Sequence, residues 1–385
     1  MLLVLVPAAL ATVVGLVALW PSGEPTRAEQ AAEVAFPPGL TYPDARVVEI
    51  QADPACGTPG TCDTAVVEVT EGPGAGEFQS ISLPPAADLE RDDVIVLTRD
   101  GGAEGGASYN FFDYERDLPM ITLAVAFAIV VGAVARLRGL ASLLGLAFAF
   151  FVLLRFVLPG VLAGESPMLI TLVGAAAIMF VVLYLAHGLS ARTTTALIGT
   201  LFGLFLVSVL GAVSVQAARL TGLTSEDTVT ISGYDPSLDF SGLVVAGVVV
   251  AGLGVLNDVT ITQASAIWQL HEASPGMTWR ELYTRGMTIG RDHIASTVYT
   301  IVFAYAGASL PLLLLFELYA QPAGVRITSA VLAEEVIRTL VGSIALVLAV
   351  PVTTAVGAFF ATAAATSAGA APERRIAALR TRFAR

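Results

Sequence analysis

Lysine is absent from this chain of 385 residues, histidine occurs three times and cysteine twice, and charged residues make up only 14% of it. Each scarcity excludes something. All twenty basic residues are arginine, a codon bias that points to a GC-rich, bacterial genome. Three scattered histidines cannot build a His-rich metal centre, so neither a metal nor a cofactor is expected. There is no phosphate-binding loop and no G-x-S-x-G elbow, which leaves neither an ATPase engine nor a common hydrolase site. No nucleophile stands with a base, so an enzyme is not expected. Any transport would be secondary or powered by a partner.

Apolar residues are what the chain has in excess: 55% of it is hydrophobic and its mean hydropathy is +0.77. Bilayer is therefore its main solvent. A helix crosses roughly 30 Å of hydrocarbon with about 20 mainly apolar residues, and eight runs qualify. They are Leu2 to Trp20, Leu118 to Ala135, Leu140 to Leu158, Pro167 to Leu185, Thr195 to Val215, Ser241 to Trp268, Ile294 to Phe316 and Leu340 to Thr362. The expected fold class is mostly α: a polytopic membrane helix bundle of about eight transmembrane helices, with a small extracytoplasmic β-barrel-like or sandwich domain inserted between helices 1 and 2. The expected divisions are 1–20, first helix; 21–117, acidic β domain; 118–369, seven-helix domain; and 370–385, basic amphipathic tail.

Charge is uneven along the chain. Pro21 to Asp117 holds 19 acids against 5 arginines, while the remainder nets +2. That acidity excludes nucleic acid as a partner of the inserted domain, because phosphate binding needs a basic face. Arg136, Arg138, Arg192, Arg280, Arg285, Arg291 and the C-terminal arginines fall on one side of the membrane, which the positive-inside rule assigns to the cytoplasm. The acidic domain is then outside. The first run lacks a basic leader and a clear cleavage site, so a retained helix is expected rather than a signal peptide.

Short β-like runs, Arg46 to Ile50, Ala65 to Thr70, Phe78 to Leu83, Val94 to Thr98 and Tyr109 to Phe112, are separated by Gly, Pro and Asp clusters. Cys56 and Cys62 lie among them in a Pro- and Gly-rich turn. A local disulfide is expected, since two thiols without a histidine make a poor metal site.

An ionisable group inside a membrane is expensive and needs a reason. Asp258 is the main one, in a stretch that follows Gly252 and Gly254 and carries Asn257, Asp258, Thr260, Thr262, Gln263 and Ser265. Asp258, Thr262 and Ser265 share a helical face. Counting residues puts Asp258 in the cytoplasmic third of the bilayer, with Arg291 at nearly the same depth as its natural counter-ion. Asp292 and His293 follow Arg291, and Thr297 and Thr300 continue the His293 face inward. Two readings stay open: a buried pair that fixes helix packing, or a polar site that binds a proton, cation or substrate. Arg155 is expected to snorkel to headgroups. Trp279, Leu282, Tyr283 and Met287, after a Thr278–Glu281 capping-box pattern, form an interfacial face, as do Ile376, Leu379 and Phe383 in the tail. Gly199 and Gly203 permit close helix contact.

Gly254-Val-Leu-Asn257-Asp258-Val-Thr-Ile, then Ile289-Gly290-Arg291-Asp292, then Ala304-Tyr305-Ala306-Gly307-Ala-Ser309-Leu310-Pro311 resemble the YibE/F family of bacterial membrane proteins. Leu183 to Thr193 and Leu197 to Gly203 resemble the same family's junction between helices four and five. The resemblance covers roughly Leu118 to Thr362 and implies a multi-pass architecture of permease type, with no substrate attached. One departure is Asn257, where the family pattern implies a hydrophobic residue before the aspartate.

The function expected is a secondary transporter or exporter with Asp258 and Arg291 as its coupling pair. The alternative is a membrane-anchored sensor or assembly protein whose ectodomain binds a partner. Expected partners are membrane lipid and either a second copy or another membrane protein.

Overall fold

The computed structural model describes residues 1–35, 39–51, 63–84, 87–101, 106–318, 322, 324–325 and 328–382, and side chains other than those of 2, 35 and 364–382. The chain forms two compact units, Glu29–Val130 on the one hand and Met1–Ala28 with Val131–Arg385 on the other.

In the first unit a short helix, α2 (Arg27–Ala35), leads to β1 (Leu40–Thr41), β2 (Asp44–Gln51), β3 (Thr64–Val69), β4 (Phe78–Ser82), β5 (Val94–Asp100) and β6 (Ser108–Tyr114). All five expected strands are present. The helix and β1 had no apolar alternation to announce them. The sheet is antiparallel, in the order β1-β5-β2-β3-β4, with β6 on the other edge of β5. It curls until β4 and β6 meet. Period-two alternation drives this: Ala65, Val67 and Val69 on β3 turn inward onto Ala45 and Val47 of β2 and Ile95 and Leu97 of β5. A register shift between Val47 and Glu49 bends β2. Cys56 and Cys62 lie outside the described residues.

The second unit is helical. It contains α1 (Leu2–Ala18) and most of α3 (Asp117–Val152), then a π-turn at Leu153–Val157 that runs into α4 (Leu158–Leu162). There follow α5 (Pro167–His187), α6 (Ala191–Ala217), α7 (Glu226–Tyr234), α8 (Phe240–Ala273), α9 (Trp279–Ala308), α10 (Leu310–Leu318) and α11 (Ala330–Arg382). Among the described residues, five helices are long and apolar enough to cross a membrane, and α9 with α10, bent by 64°, makes a sixth if the pair is one span. This differs from the eight runs for identifiable reasons. Leu118 to Ala135 and Leu140 to Leu158 fall within one apolar stretch, Asp117–Leu162, broken only by the non-helical backbone of Arg136 (φ 54°, ψ −136°). The first run forms an apolar helix, Leu3–Ala18, too short to count. Arg155 lies in the π-turn with its side chain exposed.

The core of this unit is the contact of α6, α8 and α11, flanked by α5 and α9. Leu197, Leu204, Val249, Leu256, Leu346 and Val350 are buried there. Glycines set the spacing: a Cβ on Gly199 would strike Thr353, and one on Gly203 would come within 2.6 Å of Leu256. With lipid as the alternative solvent, such close approach supplies the contacts that a hydrophobic effect would supply in water.

Candidate functional site

Asp235 and Asp239 lead the chain into α8. The Ser237 hydroxyl and backbone N–H donate to the Asp235 carboxylate at 2.6 and 2.9 Å and hold it below the usual carboxylate range. Asp239 caps the helix by accepting from the N–H of Gly242 at 2.8 Å. From there α8 runs for 34 residues, about 51 Å at the α-helical rise. The helix continues past Trp268 to Ala273, and Asp258 stands next to its midpoint.

Asp258 is exposed on the surface of the bundle and lines a cavity of about 380 Å³ with Gly254, Val255, Thr297, Thr300 and Tyr305. Thr297 and Thr300, which the sequence places on the His293 face, here share a cavity with Asp258. Thr297 is buried and its hydroxyl donates to the His293 carbonyl at 2.9 Å, while the exposed Thr300 hydroxyl donates to Ser296 at 3.3 Å. Both hydroxyls donate to carbonyls of their own helix. Asn257 and His293 are half-buried, and Asn257 Oδ1 and His293 Nε2 are buried without a partner. Thr262 is exposed and Ser265 half-buried, further along the Asp258 face.

The structure does not make Arg291 the counter-ion of Asp258. Among the described residues no ion pair joins them, and Arg291 and Asp292 are both exposed. The helix register explains this. Gln263 of α8 meets Gly286 and Gly290 of α9, whereas Asp258 shares its cavity with Thr297 and Thr300. Arg291 therefore stands nearer the level of Thr262, about one turn from Asp258 toward the Ala273 end.

Two members of the polar stretch, Thr260 and Gln263, turn away from Asp258 into a buried polar seam. Gln263, 1% exposed, donates through Nε2 to the Gly286 carbonyl at 2.9 Å and to the Thr354 hydroxyl at 2.8 Å, tying α8 to α9 and α11. The hydroxyls of Thr200 and Thr260 meet at 2.6 Å and tie α6 to α8. These bonds fix the wall on which Asp258 is carried.

Tyr305 also lines a second cavity of about 300 Å³ toward the Ala308 end of α9, with Ser309, Glu335 and Thr339. Glu335 pairs with Arg338 at 3.3 Å, and the neighbouring Glu334 accepts a hydrogen bond from Thr224 at 2.9 Å. The signal for these groups was in the sequence, as two adjacent glutamates and an arginine at the start of the last apolar run. Among the described residues no group of three or more His, Cys, Asp or Glu is placed to hold a metal ion.

Comparison with known proteins gives a match over residues 123–363 to the family model described as YibE/F-like protein. No curated protein and no solved structure matches.

Proposed function

We propose, for a chain that belongs to the YibE/F-like protein family, that it is a secondary transporter or exporter whose solute path passes Asp258. The observation that carries this reading is a carboxylate near the middle of an apolar helix, lining a cavity that shares Tyr305 with a second cavity, into whose mainly apolar wall Glu335 is set. A mid-membrane carboxylate facing lipid would cost about 2.5–3.5 kcal/mol or more, so a polar path is its favourable surrounding. The break between α9 and α10 supports the reading, because discontinuous helices line the paths of many transporters. In this proposal the two arms of α3, α1 and the α9–α10 pair each cross the bilayer, giving eight crossings. The arginine-rich loops and C-terminus face the cytoplasm, and the acidic β unit lies outside.

The test is the membrane yield and the flux or host phenotype of Asp258→Asn, Arg291→Gln and the double variant. Because the two groups are not paired, neither single change strands a buried partner, and all three proteins should fold. Asp258→Asn should abolish solute movement and Arg291→Gln should reduce it at most modestly. A well-folded Asp258→Asn protein with wild-type activity would sink this path.

A further inference from the structure

Glu334 is 8% exposed; one carboxyl oxygen accepts from Thr224, and the other is buried with no partner. Arg338 lies one helical turn further along α11, at the i,i+4 spacing where a glutamate and an arginine normally pair. It pairs instead with Glu335, its Nε is buried without a partner, and a terminal nitrogen lies over Gly247 of α8. Among the described residues, the charged or titratable groups that act on Glu334 are Glu335 and Arg338 of its own helix, with Tyr305 of α9 beside those two, and the 220s loop presents the Thr224 hydroxyl.

We infer that Glu334 carries a proton and, through Arg338, sets the charge of the second cavity, which makes a cation the solute that cavity admits. The inference rests on the transport reading above and adds to it a coupling ion and a substrate class. An ionised Glu334 would hold a buried oxygen without a donor while a guanidinium one turn away is engaged elsewhere, an arrangement that a neutral carboxyl relieves. A metal ion does not fit: among the described residues the side-chain oxygens here are those of Glu334, Thr224 and the Arg338-paired Glu335, fewer than a hard cation needs, and Arg338 repels it. When the Glu334 carboxyl gives its proton to water, the new carboxylate draws Arg338 from Glu335. Glu335 then stands as an unneutralised anion in the wall of a cavity otherwise lined mainly by apolar side chains such as Val302, Leu313, Leu332 and Val336. With the proton in place the cavity is neutral, and without it the cavity attracts cations.

The experiment uses the full chain in proteoliposomes, with Cys56 and Cys62 replaced by serine and a reporter thiol at Leu332→Cys, a residue lining the cavity. Reaction rates with a cationic and an anionic methanethiosulfonate reagent are compared across pH. Their ratio cancels the ionisation of the thiol itself. The ratio should rise several-fold in favour of the cationic reagent as pH rises, and should be flat in Glu334→Gln. Glu335→Gln should lower the high-pH ratio. An infrared carboxylic-acid band should titrate over the same pH range, vanish in Glu334→Gln and persist in Glu335→Gln. A pH-independent ratio in the chain with Glu334 intact overturns the inference whether or not Glu334→Gln folds, as does an acid band that survives Glu334→Gln. Neither readout needs a solute, so a failure at Asp258 and a failure here are read separately.

Discussion

Gln263 shows what one side chain contributes where lipid, not water, is the competing solvent. Its amide makes two buried hydrogen bonds to two different helices. Replacing it with leucine keeps the bulk but leaves the Gly286 carbonyl and Thr354 without that donor. Gln263→Leu should therefore destabilise the bundle by about 1–3 kcal/mol, measured by reversible unfolding in a bilayer mimic. An unchanged midpoint would remove Gln263 from the set of residues that hold the helices together. The sequence displayed Gln263 beside Thr262, and Asn257 beside Asp258, as one polar stretch. It could not say which member turned inward, because adjacent residues differ by about 100° around a helix and the lipid-facing side is as apolar as the core. In water the phase of a helix is written in its polar face, and here that face is missing.

At the scale of elements, the two arms of α3 are joined through a single residue, Arg136, in a left-handed conformation that a side chain adopts at a cost. Gly139 lies against the carbonyl of Val131 just after the break, so the chain has little room to relax. Arg136→Gly should be more stable than Arg136→Ala by about 1 kcal/mol, a comparison that removes the same charge from both proteins and isolates the backbone. Equal thermal stability of the two would show that the turn is unstrained. The strands were legible because one side of the sheet is dry and the other wet, so Ala65-Val-Val67-Glu-Val69 spells its own register. The long helices were legible as runs but not as spans. Nothing in the composition of Arg136-Leu-Arg138 says whether the apolar stretch continues straight or is interrupted there.

For the whole molecule, the excess of acid in the β unit has a cost that pH can reveal. Partial burial, then the nearby carboxylates Glu71, Glu115 and Asp117, push Asp44 above the usual carboxylate range. The folded unit therefore holds this proton to a higher pH than the unfolded chain does. Stability falls as pH rises through the window between the ordinary and the raised value, and levels off above it. Hydrogen exchange of the β2 and β3 amides, corrected for intrinsic rates, should show protection increasing on mild acidification, with a smaller increase in Asp44→Asn. The same increase in both proteins would assign the effect to other acids. The family and the mostly helical, apolar character were thus readable from the chain, while the neighbours of Asp258 depended on a helix register that only the fold supplies.

The position of α11 has a consequence for how the protein is made. It lies against α6, α8 and α9 and supplies Thr353 opposite Gly199, Val350 opposite Gly290 and Thr354 to Gln263. Yet it follows all of them in the chain, so the ribosome delivers it after they have been inserted. Until it arrives, the faces of Gly199 and Gly290 and the Gln263 amide that α11 covers lack their partners. Biogenesis of this protein therefore includes an interval in which α6, α8 and α9 are present without the helix that joins them, and their polar and glycine faces must be kept from pairing wrongly.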